Sequence, residues 1–431
     1  MRRFLPLLAA LAGLASPLAG QDTTRTPDRI ILGTEYRPGA RPGIVILPTT
    51  PGLDSLRTIL ARDLDYSDRF EVITLRSDST TVAPAADSIN YALYQTLGAI
   101  LVLELRETTS GINVRLHDVE RREVRVEVTR PLDVTGAGES RLGLHRLADE
   151  IVQWGAGVAG YAASRILFVS GGRIFRIDSD GYGLTPMTPG GQTALSPAWS
   201  PDGSQFAYVH LHESGWSVVL QRLATGSRAT LPTTDSQTNI TPVFSPDGRF
   251  VVFAQSGERG TNLVRVNVGE MCCVERLTSG PFADNLSPAY SPDGRRIGFV
   301  STRAGGQQIY AMASDGTQQE LLVPFDFGRT GSSNALEWSP DGTTVAFHRE
   351  TARTPQIWVF DIARRQARQL SSSGRNEDPS WAPDGRHLVF VSDRTGRGQL
   401  HVIDLDTFRV RQIPTPGVAR LPAWSRYLSP R

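Results

Sequence analysis

Lysine is missing from this chain altogether, and all 45 basic residues are arginine. That absence excludes a Walker A phosphate-binding loop, a Schiff-base lysine and a serine–lysine dyad, each of which needs the amine. Cysteine is nearly as scarce. The 431 residues hold two, Cys272 and Cys273, and they are neighbours. In an oxidising compartment such a pair could close on itself. On a strand, however, successive side chains point to opposite faces, so two separate thiols are the expectation. A metal site there would need partners that the local sequence does not offer. No Gly-x-Ser-x-Gly nucleophile elbow occurs. An excess of one charge is lacking too. The 45 basic and 44 acidic residues leave a net charge of +1, which gives no electrostatic basis for binding nucleic acid or an anionic membrane.

Long hydrophobic runs are also absent. The apolar stretch Phe4 to Leu14, interrupted by Pro6 and Gly13, is too short to cross a hydrocarbon core of about 30 Å. Arg2 and Arg3 precede it, small residues (Ala15, Ser16, Ala19, Gly20) follow, and polar sequence begins at Gln21. This is the layout of a secretory signal peptide over residues 1–20, cleaved near Gly20 with Ala15 as the rival site. Gln21 stands where a lipoprotein would carry its cysteine, and Arg2-Arg3 sits too close to the N-terminus for a twin-arginine signal. The expectation is an exported, soluble chain with no direct membrane insertion.

What the chain does have is turns, with 41 Gly and 28 Pro, and a repeat. Five copies of one phrase run through its second half: Trp199-Ser-Pro-Asp-Gly203, Phe244-Ser-Pro-Asp-Gly248, Tyr290-Ser-Pro-Asp-Gly294, Trp338-Ser-Pro-Asp-Gly342 and Trp381-Ala-Pro-Asp-Gly385. The aromatics stand 45, 46, 48 and 43 residues apart, and a truncated copy, Pro422-Ala-Trp-Ser425, follows. Proline fixes the first corner of a turn, aspartate tolerates the second, and glycine takes the left-handed position after it. Alternating segments flank each turn, and two further short strands complete the unit. Four antiparallel strands per period of about 45 residues describe a propeller blade. The first unit, from Ile166, lacks the aromatic strand, and the last, Leu421 to Ser425, has only that strand. Chain start and chain end therefore share one blade, which makes six.

Residues 43–162 read as a small α/β domain with a mixed sheet. Strands are expected at 43–47, 70–75, 99–105, 111–118 and 123–128, and helices at 53–64, 89–97 and 142–154. Residues 21–42 form a polar N-terminal arm, and the propeller takes 165–431. The fold class is a mixed α/β N-terminal domain followed by an all-β six-bladed β-propeller.

The enzyme readings are weak. The chain ends three residues after Leu428, which leaves no room for the catalytic domain of a propeller hydrolase. The propeller histidines, His210, His212, His348, His387 and His401, fall on second and third strands rather than on the inner strands that line a channel. No catalytic residue, metal or cofactor is assigned. Trp199, Trp338, Trp381 and Trp424 are expected to pack between blades. A secreted propeller binding or cleaving a small carbohydrate is the alternative to a protein-binding module. In a blade, loops entering the inner strand share one face with loops joining the second and third strands. That face carries Ser196, Asn239, Thr241, Asn285, Ser287, Asn334, Glu377, Asp378 and Arg420 as candidate partner contacts. The Asp of each Pro-Asp-Gly lies on the opposite face as a turn former.

An exported α/β domain followed by a Pro-Asp-Gly propeller resembles the TolB family of the bacterial Tol–Pal envelope system. The likeness rests on Arg29-Ile-Ile31, Arg41-Pro-Gly-Ile-Val45, Leu195-Ser-Pro-Ala-Trp-Ser-Pro-Asp-Gly-Ser204 and Leu421-Pro-Ala-Trp-Ser-Arg-Tyr-Leu428. The resemblance implies a periplasmic, monomeric adaptor that supports outer-membrane integrity and cell division. Its propeller would bind a Pal-like peptidoglycan-associated lipoprotein. Its arm, carried over as Arg29, Ile30, Ile31 and Leu32, would bind a TolA-like inner-membrane protein. The extra polar lead-in Gln21 to Asp28 departs from the family pattern.

Overall fold

The computed structural model describes residues 41–75, 89–132, 139–234, 238–280, 282–324, 332–351 and 353–428. The expected signal peptide and the arm residues Arg29, Ile30, Ile31 and Leu32 lie outside the described residues. Arg41–Arg431 forms one compact unit. Among the described residues no helix is long and apolar enough to cross a membrane.

The α/β part follows the expected order: β1 (Gly43–Ile46), α1 (Asp54–Tyr66), β2 (Glu71–Thr74), α2 (Tyr91–Thr96), β3 (Ala99–Thr108), β4 (Gly111–Asp118), β5 (Glu123–Arg130) and α3 (Glu139–Ala156). The sheet order is β2-β1-β3-β4-β5. β1 runs parallel to both β2 and β3, and β3, β4 and β5 form an antiparallel meander. Alternation along the central strands sorts the apolar residues onto two faces. Ile44, Ile46, Leu101 and Leu103 meet Leu56, Leu60 and Leu64 of α1 and Leu144, Leu147 and Ile151 of α3. Val45, Leu47 and Val102 meet Tyr94 of α2 on the other side.

The rest of the chain forms six four-stranded sheets. Their inner strands are Thr193–Trp199, Asn239–Phe244, Asn285–Tyr290, Ser333–Trp338, Asn376–Trp381 and Arg420–Trp424, in blades 1 to 6. The Pro-Asp-Gly turns have the expected geometry: Gly203, Gly248, Gly294, Gly342 and Gly385 take φ of 65 to 74°. In the first four, the serine hydroxyl before the turn donates to the aspartate, as from Ser291 to Asp293 at 2.6 Å. The aspartate also accepts from the amide two residues on. Blade 5 has Ala382 instead, and Asp384 takes His387 Nδ1 as its partner at 2.6 Å.

Blade 6 is built from both ends of the ring. Arg420–Trp424 pairs antiparallel with Arg165–Ser170, with Ala423 opposite Leu167 and Trp424 opposite Ile166. Ser425 and Arg165 exchange further bonds at 2.8 and 2.9 Å. Trp424, 5% exposed, donates from Nε1 to Ser164 Oγ at 2.7 Å. Trp199 and Trp381 likewise donate across to carbonyls of the preceding blades, Ala423 and Glu337. The indoles pack between blades.

One expectation is corrected. Cys272 and Cys273 are joined by a disulfide. The alternation argument assumes a regular strand, but Met271 and Cys273 adopt φ of 50 and 66° and the pairing register shifts between Arg265 and Asn267. The irregular backbone turns both sulfurs to the same side.

If the shared blade is the clasp of the ring, Trp424→Ala should lower global stability by about 3–5 kcal/mol, the usual cost of emptying a buried indole site. Urea unfolding followed by far-UV circular dichroism measures it. A loss under about 1 kcal/mol would show that closure does not depend on this packing.

Candidate functional site

The ring has two ends, and the chain direction fixes what each carries. The Pro-Asp-Gly turns lie at one end and the entries to the inner strands at the other. The α/β part covers the Pro-Asp-Gly end. Asp68, left-handed at φ 54° in the turn between α1 and β2, brings its carboxylate 3.3 Å from His387 Nε2. Asp404 Oδ2 is 3.2 Å from the same nitrogen, and Arg386 bonds Asp404 in turn. Arg409 reaches out of blade 5 to Asp65 Oδ2 at 2.7 Å and Asp68 Oδ1 at 3.0 Å. Under blade 6, Asp180 accepts from Arg62 and Arg141. His145 Nδ1 lies 2.6 Å from Asp63 Oδ2. Tyr161 donates to the Tyr66 carbonyl at 2.6 Å, and the Arg411 guanidinium sits 4.2 Å over the Tyr66 ring.

This seam is an array of paired charges. Asp65, Asp68, Asp180 and Asp404 are held by arginines, and Asp63 and Asp384 by His145 and His387. Asp68, His387 and Asp404 stand close enough to grip a cation, as do Asp63, His145 and Asp180. Arg386, Arg409, Arg62 and Arg141 already supply the positive charge there.

The entry end is built differently. In all six inner strands the pairing with the second strand slips by a register shift. Within each slip one residue is left-handed: Ser196, Thr241, Ser287, Ala335, Asp378 and Leu421, with φ of 48 to 54°. Left-handed backbone is uncommon outside glycine and is strained for a β-branched or bulky residue such as Thr241 or Leu421. Repeated six times, it is an organised bulge that re-aims one side chain per blade toward the mouth of the central channel. Three of the amides in the slips find acceptors in the neighbouring blade. Ser287 N donates to Thr241 Oγ1 at 3.2 Å, Leu421 N to Asp378 Oδ2 at 3.3 Å and Asp378 N to His348 Nδ1 at 3.2 Å. Burial pushes the Asp378 carboxyl up and the His348 imidazole down.

The structure therefore brings Ser196, Thr241, Ser287 and Asp378 together around the mouth. Asn334, Glu377 and Arg420 occupy the residue before the left-handed one. Asn334 and Glu377 are half-buried and Arg420 is exposed. Arg375 holds Glu377 at 2.8 Å. Asn239 and Asn285 lie one residue further back and are buried, at 1% exposure each. Asn239 donates to the Trp216 carbonyl, and Asn285 donates to the Thr261 carbonyl and accepts from Arg303. They brace the mouth from beneath.

Behind the mouth the channel encloses about 500 Å³. Its wall includes Glu337, at a place where the other blades carry Ala198, Val243, Ala289, Ser380 and Ala423. Burial raises the Glu337 carboxyl to about 7 even though it accepts from Ser380 and the Trp381 amide. Arg426 and Tyr427 stand at its far end, toward the seam. Sequence reasoning missed Ala335, Leu421 and Glu337. Stacking the repeats on their aromatic residue would have found Glu337, whereas the left-handed ring depends on a register slip that no residue type announces.

The seam makes a pH prediction. Burial alone pushes the His387 imidazole down, but Asp384, Asp68 and Asp404 outweigh it, and its pKa lies above the ordinary value. The stabilisation from its charge is thus fully present below the unfolded-state value of about 6.5 and is lost as pH rises through the raised folded value. The stability gap between the wild type and His387→Gln should be widest below the unfolded-state value and narrow as pH rises above it, read from thermal unfolding across a pH series. A gap that does not change with pH would show that the imidazole carries no charge in the seam.

Comparison with known proteins agrees with this architecture. Residues 156–428 match the family described as the TolB beta propeller domain. The Tol-Pal system protein TolB of Methylococcus capsulatus is 33% identical over 225 residues, 49% of this chain and 51% of that protein. TolB of Methylobacillus flagellatus is 30% identical over 236 residues, 52% of this chain and 50% of that protein. The chain thus spans about half the length of the curated relatives it matches. The crystal structure of TolB from Acinetobacter baumannii superimposes with a TM-score of 0.77 at 25% identity, covering 90% of this chain and 98% of that one. The chain belongs to the TolB β-propeller family.

Proposed function

We propose that this chain is a periplasmic adaptor that acts by binding proteins and catalyses nothing. Its open propeller face takes a Pal-like outer-membrane lipoprotein. The segment around Arg29, Ile30, Ile31 and Leu32 takes a TolA-like inner-membrane protein. Linking the two, the chain supports outer-membrane integrity and cell division. In this reading residues 21–42 act as an arm, 43–162 as the α/β domain and 165–431 as the propeller.

The observation that carries the proposal is the asymmetry of the ring. One end is sealed by the α/β part through Arg409, Asp68, His387 and Asp180. The other keeps its six-fold ring of left-handed residues, with Asn334, Glu377 and Arg420 standing around it. Polar side chains on a rigid rim, above a strained backbone that the fold maintains in every blade, suit recognition of a folded partner. The carbohydrate alternative draws no support from the indoles, which are committed between blades.

The test is capture of Pal-like lipoprotein from detergent-solubilised envelopes by the mature chain. Asp378 is built into the rim through Leu421 and His348, so its replacement risks the fold. Glu377→Arg and Arg420→Glu are the informative variants. Each should weaken capture at least tenfold, about 1.4 kcal/mol, with an unchanged unfolding midpoint. Full capture by the folded double variant would remove the rim from the proposal. Capture of no envelope protein by the wild type would overturn the adaptor reading.

A further inference from the structure

The disulfide on blade 2 has no structural task that its position explains. A disulfide stabilises mainly by closing a loop and restricting the unfolded chain, and the effect grows with the length of that loop. Cys272 and Cys273 are adjacent, so their bond encloses no intervening residue and ties no two elements together. They begin Cys272–Arg276, the outermost strand of the sheet, away from the channel and the seam. Cys273 is exposed and Cys272 half-buried, so small reagents reach the sulfurs.

A third donor stands beside them. Glu270 Oε2 lies 3.4 Å from Cys272 Sγ, and one ligand atom from each of Glu270, Cys272 and Cys273 fits within a 4.8 Å span. The Asn267 side chain fixes the approach of this carboxylate, accepting from the amides of Gly269 and Glu270 at 2.9 and 3.1 Å. Glu275 on the same strand is turned aside to Arg265, 2.6 Å away. The local sequence does supply a metal partner after all, two residues upstream of the pair.

We infer that Cys272–Cys273 is a reversible redox site whose reduced form, together with Glu270, binds a thiophilic divalent cation of the zinc class. Reduction by a small thiol consumes two thiol molecules. The Cys272–Cys273 bond breaks, each cysteine sulfur gains one electron and one proton, and the two reductant sulfurs join as a disulfide. The cation then displaces the two thiol protons and is held by two thiolates and the Glu270 carboxylate. Two sulfurs and one oxygen suit tetrahedral zinc or cadmium, with water in the fourth position. A small disulfide reverses the exchange: it is reduced to two thiols, the Cys272–Cys273 bond reforms and the metal leaves, so the site holds metal only under reducing conditions.

Cadmium is the probe, because its thiolate complexes absorb in the ultraviolet. The mature chain is titrated with Cd²⁺ before and after treatment with a phosphine reductant, which is then removed. Thiols are counted with a chromogenic disulfide, and circular dichroism follows the fold. The expected result is no titratable thiol before reduction and two after it, with an unchanged propeller spectrum. One equivalent of Cd²⁺ then binds with a charge-transfer band, only in the reduced protein. Cys272→Ser/Cys273→Ser should abolish the band. Glu270→Gln should weaken binding by at least about tenfold, the scale of loss seen when a metal site is deprived of even an outer-shell partner. Equal binding by the oxidised chain, or none by the folded reduced chain, would overturn the site. Unfolding on reduction would make the bond a structural one, and an unaltered affinity in Glu270→Gln would remove the carboxylate from the ligand set.

Discussion

Each blade covers one face of its neighbour, so no blade is stable as an open sheet, and the fold depends on the pairing of Arg420–Trp424 with Arg165–Ser170. That pairing joins the two ends of the propeller sequence. It puts Trp424 against Ile166, carries Ser425 to the Arg165 amide, and hands the Trp199 indole a carbonyl on Ala423. Once it forms, the last blade has its inner strand and all six blades have four. The channel, the rim and the sealed end all follow from this closure.

The same closure sets the division of labour between the two ends. Because strands alternate in direction, every Pro-Asp-Gly turn falls at one end and every inner-strand entry at the other. The turns give a compact floor whose aspartates are spent on their own serines and amides. Asp384 is the exception, because Ala382 offers no hydroxyl. His387 fills the gap and, in doing so, stands where Asp68 and Asp404 can share it. One departure from the repeat thus becomes the anchor of the α/β part. At the opposite end the register slips convert an ordinary strand start into a rim of left-handed residues, of which Ser287, Asp378 and Leu421 donate their amides to side chains of the blade before.

The absence of lysine has a structural counterpart in the seam. A planar guanidinium engages several acceptors in fixed directions, which an ammonium does not. Arg409 meets Asp65 and Asp68 together, and Asp180 accepts from Arg62 and Arg141. Few apolar residues cross the seam, and its cohesion rests on these forks and on Tyr161.

The sequence by itself determined the blade count, the strand order and the shared blade, because turn chemistry and period-two alternation are local properties repeated at a fixed spacing. It also determined the strands and helices of the α/β part, whose apolar stripes have one dominant period each. Which end of the ring is open was beyond it, since that depends on Asp68 meeting residues up to 341 positions away along the chain and Asp180 meeting one 118 positions away. The buried placement of Asn239 and Asn285, the left-handed rim and the union of Cys272 with Cys273 were also decided only in three dimensions. Each arises from a register slip or a backbone angle imposed by a neighbouring strand, and residue type alone carries no record of that neighbour.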